Sequence, residues 1–404
     1  MTLNVLWASD APYANSGYSV ETALAALRLK DHCNLALLAT FGLHGAVREW
    51  EGITVFPGGA DNFSNDVIGK AARAWQADIV ITLKDTIVFN PQAFQGLRWL
   101  GMAPIDHDPP SPQVIERCRA MYRPIAYAPH GFRTLRAAGL DPLYTPHAYD
   151  PAHYFPVETA EARQALGLDP SLFLVGTVAV NRGGIPSRKA WAENLQAFAL
   201  FAKDKPNVRY FLHTDMADDG YEAGIPLRTL LAQFGILDKV LFCDQERYRY
   251  GGFPIEYMRA YYNSIDVLNA VSLGEGFGIP ALEAQACGKA VIVGDWCAHE
   301  DLCFAGWKVT KDEAHHLYDA QQGWVYLPQP AAIADRMERA YSALSDRAVA
   351  PALSAQAIDG TAPYQIDTVI RDHWLPLLAE VEQDIRTVRS HGVLRIIRPE
   401  EVFA

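Results

Sequence analysis

The stretch Ser272–Gly288, SLGEGFGIPALEAQACG, constrains this chain more than any other. It follows a short apolar run, Asp266–Val271, and precedes another, Ala290–Val293, so it predicts a strand, a glycine-rich turn, a helix and a second strand. Gly274, Gly276 and Gly278 permit a tight turn and the close approach of backbone to another group. Pro280 suits the first turn of a helix, where its missing N–H is no loss, and Gly288 suits the end. A helix N-terminus reached through glycines presents free N–H groups and the positive end of the dipole, which together favour an anion.

Two carboxylates sharpen that expectation. Glu275 lies in the turn and Glu283 lies in the helix. Taken alone, Glu283 has a plainer explanation as an acid near a helix N-terminus that complements the dipole. A glycine-flanked Glu275 followed by Glu283 in a strand-turn-helix unit is more specific. The run resembles the E-x7-E signature of family 4 retaining glycosyltransferases, E-G-F-G-x-P-x-x-E-A-x-A-x-G. That resemblance implies that Glu275 lies beside the donor sugar and Glu283 binds the nucleotide's ribose. It also implies that the backbone of Phe277, Gly278 and Ile279 meets the sugar and phosphates.

The rest of the chain is consistent in order with this resemblance. At 404 residues it predicts more than one core. The opening, Leu3–Asp10, is a strand leading through Gly17 into a helix, without the G-x-G-x-x-G of a dinucleotide site. Further apolar runs at Leu35–Ala39, Ile53–Phe56, Asp78–Thr82 and Pro124–Ala128 alternate with helical stretches, which predicts a parallel sheet. A second series begins at Leu172–Val180 and continues through Val208–Leu212 and Lys239–Cys243. Pro146-His147-Ala148-Tyr149-Asp150 resembles the family's crossing between its two domains, with alanine where glycine is usual. The implied fold is α/β of the GT-B type: two Rossmann-like domains facing across a cleft, with a last helix, Thr368–Ile385, crossing back to the first. The expected divisions are an acceptor domain at 1–150, a donor domain at 151–365 and a C-terminal helix and tail at 366–404.

Three other clusters carry chemistry. Asn181–Lys189 holds Arg182, Arg188 and Lys189 just before an amphipathic helix, where cations neutralise a diphosphate. A solvated basic turn is the alternative. The resemblance assigns the diphosphate to Lys189 first, then Arg182, with Arg188 competing. Asp106-His107-Asp108 stands at a strand end, where open α/β sheets bind ligands. His107 is the candidate acceptor-side residue, with Asp106 and Asp108 as alternatives and His44 and His130 weaker ones. A turn rich in polar caps explains the same residues more plainly. Tyr248-Arg249-Tyr250 interleaves aromatic and basic groups, for a sugar, a nucleic acid or loop packing.

The implied reaction is retaining transfer of a hexose from a nucleotide sugar, of the UDP-glucose or GDP-mannose type, with no cofactor and no metal. Epimerase, phosphorylase and sugar-binding activities share the architecture and stand as alternatives. The net charge of −12 weakens a polynucleotide acceptor. The opening and the Asn181–Lys189 loop nevertheless resemble a subgroup from bacteriophage and bacterial genomes, so modified DNA, a virion protein and a surface glycan are all expected acceptors. Six scattered cysteines without a C-x-x-C pair, and no long apolar run, predict reduced thiols, no membrane span and a cytoplasmic location.

Overall fold

The computed structural model describes residues 2–217, 224–346 and 348–391, apart from the side chains at 251 and 388–391. Runs such as Ile79–Leu83 and Ala290–Gly294 are buried at every position, the pattern of strands covered on both faces. They build two separate sheets. The first contains β1 (Asn4–Asp10), β2 (Asn34–Phe41), β3 (Arg48–Trp50), β4 (Ile53–Phe56), β5 (Ile79–Leu83), β6 (Trp99–Ala103), β7 (Arg123–Ala126) and β8 (Leu143–Tyr144). Their order is β3-β4-β2-β1-β5-β6-β7-β8, parallel except for β3. The second contains β9 (Phe173–Val178), β10 (Val208–His213), β11 (Val240–Phe242), β12 (Val267–Asn269), β13 (Ala290–Gly294) and β14 (Gly306–Val309). It is parallel throughout, in the order β11-β10-β9-β12-β13-β14.

The two sheets share an apolar seam. One continuous cluster of buried side chains joins Trp7 and Tyr127 from the first sheet's region to Phe277 and Leu282 from the second's and to Trp374 and Val381 from the C-terminal segment. The segments that leave and return to the first sheet's side meet at Tyr149, which donates its N–H to Tyr364 O and accepts from Ile366 N. The last helical segment packs on the first sheet's side, with Trp374 and Trp7 ring centroids 5.3 Å apart and Arg123 paired with Glu380. The expected single helix over 368–385 is longer and interrupted. A π turn at Ile370–Trp374 precedes the helix Leu375–His391, and 392–404, the remainder of the C-terminal tail, lies outside the described residues.

Of the elements without a counterpart in the sequence expectations, two stand out. One is a helix, Val349–Thr361. The other is an antiparallel hairpin of β15 (Ala314–Tyr318) and β16 (Trp324–Pro328), inserted after the last strand of the second sheet. Among the described residues, no helix is long and apolar enough to cross a membrane.

Candidate active site

The glycine-rich turn joins β12 to the helix Ile279–Ala286. Gly278 caps that helix with left-handed backbone (φ 95°) and no side-chain hydrogen bond to the leading N–H groups. Those amides are therefore left without a side-chain acceptor at the positive end of the helix. Gly278 is also sterically required: a Cβ there would run into the imidazole of His299. At Gly274 and Gly276 the close approach predicted from the glycines does occur, and the approaching group is the first domain. A Cβ at Gly274 would strike the carbonyl of Asp106, and one at Gly276 would meet Pro104 and the Tyr127 hydroxyl at 3.0 Å.

Glu275 is the electrostatic centre of the turn. Lys189 Nζ lies 2.5 Å from its Oε1, and Arg188 lies 3.3 Å from its Oε2. Burial works against the charge on Glu275, but Lys189 and Arg188 overcome it and hold the carboxyl far below the usual range. The two cations owe their position to a frame that sequence reading missed. Leu273 N donates to Arg188 O at 2.8 Å, locking the two loops together. Asn194 donates to Lys189 O and Val271 O, and its own oxygen accepts from Asn269. Both asparagines are buried, so amides set into otherwise apolar runs were the available signal. Arg182 stands on the exposed part of the same loop, and the ion pairs to Glu275 are made by its neighbours.

The remaining predicted residues surround this centre. Phe277 turns its ring into the seam, edge-on to Tyr127 and His147, which leaves its backbone in the turn. Ile279 opens the helix, and across the cleft a Cβ at Gly17 would lie 4.0 Å from its Cδ1. Glu283 is buried and accepts a 2.6 Å hydrogen bond from the Tyr262 hydroxyl. Burial pushes it up to about 7, against the bonds from Tyr262 and Tyr154. His299 lies beneath the turn, held neutral by burial at about 4, with Nε2 buried and unpartnered.

His107 lies at the expected strand end but between carboxylates. Nδ1 is 2.7 Å from Asp106 and Nε2 is 3.1 Å from Asp319 in the inserted hairpin. Asp108, the other alternative, pairs with Lys311 at 2.8 Å and exchanges backbone bonds with Trp324 through its own N–H and the carbonyl of Pro109. His130 is buried near Glu300, and His44 falls in a loop outside the strands and helices. Tyr248–Tyr250 belongs to a π turn in which Arg249 pairs with Asp215 at 2.8 Å. Among the described residues, no three His, Cys, Asp or Glu side chains are grouped to hold a metal ion.

Comparison with known structures places this architecture. The chain aligns over 96% of its length with 99% of a sucrose-phosphate synthase from Thermosynechococcus elongatus, with a TM-score of 0.71 at 16% identity. It aligns over 93% of its length with all of Anabaena HepE, solved in complex with UDP-glucose, with a TM-score of 0.68 at 15% identity. This is the GT-B fold. Residues 175–342, the core of the second GT-B domain, match the family described as Glycosyl transferases group 1. Among curated proteins, a D-inositol 3-phosphate glycosyltransferase of Mycolicibacterium gilvum is 32% identical over 143 residues, 35% of this chain and 29% of that protein. One from Geodermatophilus obscurus is 31% identical over 161 residues, 38% and 33% respectively. These matches span about a third of the relatives' length.

Proposed function

We propose that this chain is a retaining group 1 glycosyltransferase that moves a hexose from a nucleotide sugar to an acceptor hydroxyl. The observation that carries this reading is the cationic pair Lys189 and Arg188 on Glu275, beside an uncapped helix N-terminus in the GT-B cleft. Two cations and the amides of Gly278 and Ile279 suit a diphosphate whose charge grows as the sugar departs. In the proposed reaction the bond from the anomeric carbon to the diphosphate breaks. The acceptor oxygen bonds to the same face, and its proton passes to the leaving diphosphate. The protein's contribution is position and charge. Glu275 lies beside the sugar, Glu283 binds the ribose, and Lys189, Arg188 and the amides at Gly278 and Ile279 receive the diphosphate.

HepE holds UDP-glucose, which makes UDP-glucose the first donor to test and GDP-mannose the second. The protein is incubated with each, and free nucleoside diphosphate is followed. Slow release with an α-configured sugar product supports the proposal. An epimerised sugar nucleotide, or binding without turnover, sinks it.

Glu283→Ala is expected to weaken nucleotide binding more than it slows chemistry, because each charge-assisted bond to a ribose hydroxyl contributes roughly 1.5–3 kcal/mol. Calorimetric titration with UDP checks this, and an unchanged affinity removes Glu283 from the ribose. The carboxyl titrates at about 7, so in the wild type UDP affinity rises as pH rises through that value and the ionised acceptor predominates.

Turnover is expected to persist in excess EDTA, since the proposed anion site uses amides and cationic side chains. Reversible loss, restored by manganese or magnesium, would show that a metal bridges the diphosphate.

A further inference from the structure

The hairpin of β15 and β16 has two unlike faces. Alternate residues of a strand share a face, and the register pairs Tyr318 with Trp324 and His316 with Tyr326 on one side, and Leu317 with Val325 on the other. The apolar side, Leu317, Val325 and Leu327, packs on Ala190, the neighbour of Lys189, and on Leu273, at the start of the glycine turn. Leu273 O also accepts from Tyr326 N at 3.1 Å, so the hairpin is fastened to the residue whose own N–H holds Arg188 O. The turn of the hairpin reaches His107 through Asp319, and Trp324 exchanges backbone bonds with Asp108 and Pro109.

The opposite side carries a continuous row of rings. Centroids of Tyr318 and Trp324 are 5.5 Å apart, those of Trp324 and His316 4.7 Å, those of His316 and Tyr326 4.7 Å, and those of Tyr326 and the buried Trp296 5.3 Å. Directly opposed and diagonal rings are the contacts an antiparallel pair provides. The inner end of the row is anchored: Trp296 donates its Nε1–H to Ser272 O at 3.1 Å, and the Lys311 ammonium stands 5.4 Å from the Tyr326 centroid. The outer end is open. Tyr318 is 54% exposed and Trp324 38%, and among the described residues neither the Tyr318 hydroxyl nor Trp324 Nε1 has a hydrogen-bond partner. Single exposed side chains need no explanation, but contiguous rings on a rigid frame mark a binding surface. Rings fixed before binding lose little entropy, and each offers an apolar face with a polar tip. That combination suits the C–H faces and hydroxyls of a sugar chain. Bases also stack on rings, but a nucleic acid further needs a cationic track for its phosphates. Between Lys311 and Pro328 three acids, Asp312, Glu313 and Asp319, stand against that one lysine and two histidines, which is no such track.

We propose that the face bearing Tyr318, Trp324 and His316 binds a glycan chain, the acceptor of the reaction, by stacking its sugar units on these rings. This rests on the glycosyltransferase reading for the role of acceptor, and goes beyond it in naming an oligomeric carbohydrate and the surface that holds it.

The full chain is run through native gels containing amylose, yeast mannan or hydroxyethylcellulose, and at least one of the three is expected to retard it. Trp324→Ala and Tyr318→Ala each lower the apparent affinity for that glycan at least fivefold, and Trp324→Phe, which keeps a ring, recovers at least half of the loss. The same glycan is then offered as acceptor with UDP-glucose: Trp324→Ala raises its KM at least fivefold with less than a twofold change in kcat. Retardation by none of the three, or retardation that both alanine variants leave intact, overturns the proposal, as does an unchanged KM. Binding of a single-stranded oligonucleotide more tightly than any glycan, weakened by Trp324→Ala, overturns it in favour of nucleic acid. Should Trp324→Ala not fold, Tyr318→Ala, at the open end of the row, decides alone. Calorimetric titration with UDP on the same samples keeps the two readings apart. A wild type that binds UDP but no glycan counts against this proposal alone. A wild type that binds glycan but neither binds nor turns over a nucleotide sugar counts against the transferase reading, and the acceptor role falls with it.

Discussion

Replacing Lys189 with alanine is expected to lower kcat by 10²–10³ with a much smaller change in UDP affinity. The expectation follows from where the charge sits. The Lys189 ammonium is within 2.5 Å of Glu275 and only 18% exposed, in a loop fastened to the end of β12 by Asn194. A cation held in that way does not reorganise when the diphosphate gains charge, so its effect falls on the barrier. Removing one preorganised donor from such a site costs about 2.7–4 kcal/mol. The fold keeps Arg188 on Glu275, which limits the penalty of a stranded carboxylate. Lys189→Arg restores the charge with a different shape and should recover part of the loss. Steady-state kinetics with UDP titration decides it. Activity within a few-fold of wild type in Lys189→Ala transfers the role to Arg182 or Arg188.

The contrast between legible and illegible parts of this site is one of chain distance. The glycine turn, Glu275, Glu283 and the N-terminus at Gly278 lie within one contiguous stretch, so spacing and backbone chemistry alone imply a strand, an uncapped helix and an anion. The ion pair from Glu275 to Lys189 joins segments 86 residues apart, and only the fold brings them together. Gly274 and Gly276 show the same limit in another form. A missing Cβ announces a close neighbour without naming it, and the neighbours are Asp106, Pro104 and Tyr127 of the first domain. The hairpin Ala314–Pro328 escaped notice because its exposed strand residues, including His315, His316 and Tyr318, lack the apolar alternation of a core strand. Arg249 between its two tyrosines left recognition and loop packing both open, and its bidentate bond to Asp215 favours packing.

That hairpin makes His107 the subject of the other large expected effect. Asp106 and His107 belong to the loop after β6, and Asp319 lies in the turn between β15 and β16, so the imidazole bridges the two domains. Its side chain is 5% exposed. Burial opposes the charge, but the hydrogen bonds and charges of Asp106 and Asp319 prevail and raise it from 6.5 to about 9. At 1.36 kcal/mol per unit, that rise corresponds to about 3 kcal/mol of linkage. The sign follows from the direction. The folded value lies above the unfolded one, so the stabilisation is complete below pH 6.5 and is lost as pH rises through about 9. Asp108, bonded to Lys311, reinforces the same contact outside this titration window. Asp319→Asn leaves the larger contribution of Asp106 in place, so it is expected to remove less than half of this linkage, roughly 1 kcal/mol of stability to urea at pH 6, with the gap to wild type closing above pH 9. His107→Ala should remove the whole of it and should also lower transfer at least tenfold, about 1.4 kcal/mol of barrier. Transfer is the discriminating readout. If the histidine acts by holding the domains together, Asp319→Asn reproduces most of the loss in transfer, and the loss fades with rising pH. A full loss in His107→Ala beside normal transfer in Asp319→Asn would instead put the imidazole on the sugar or the acceptor.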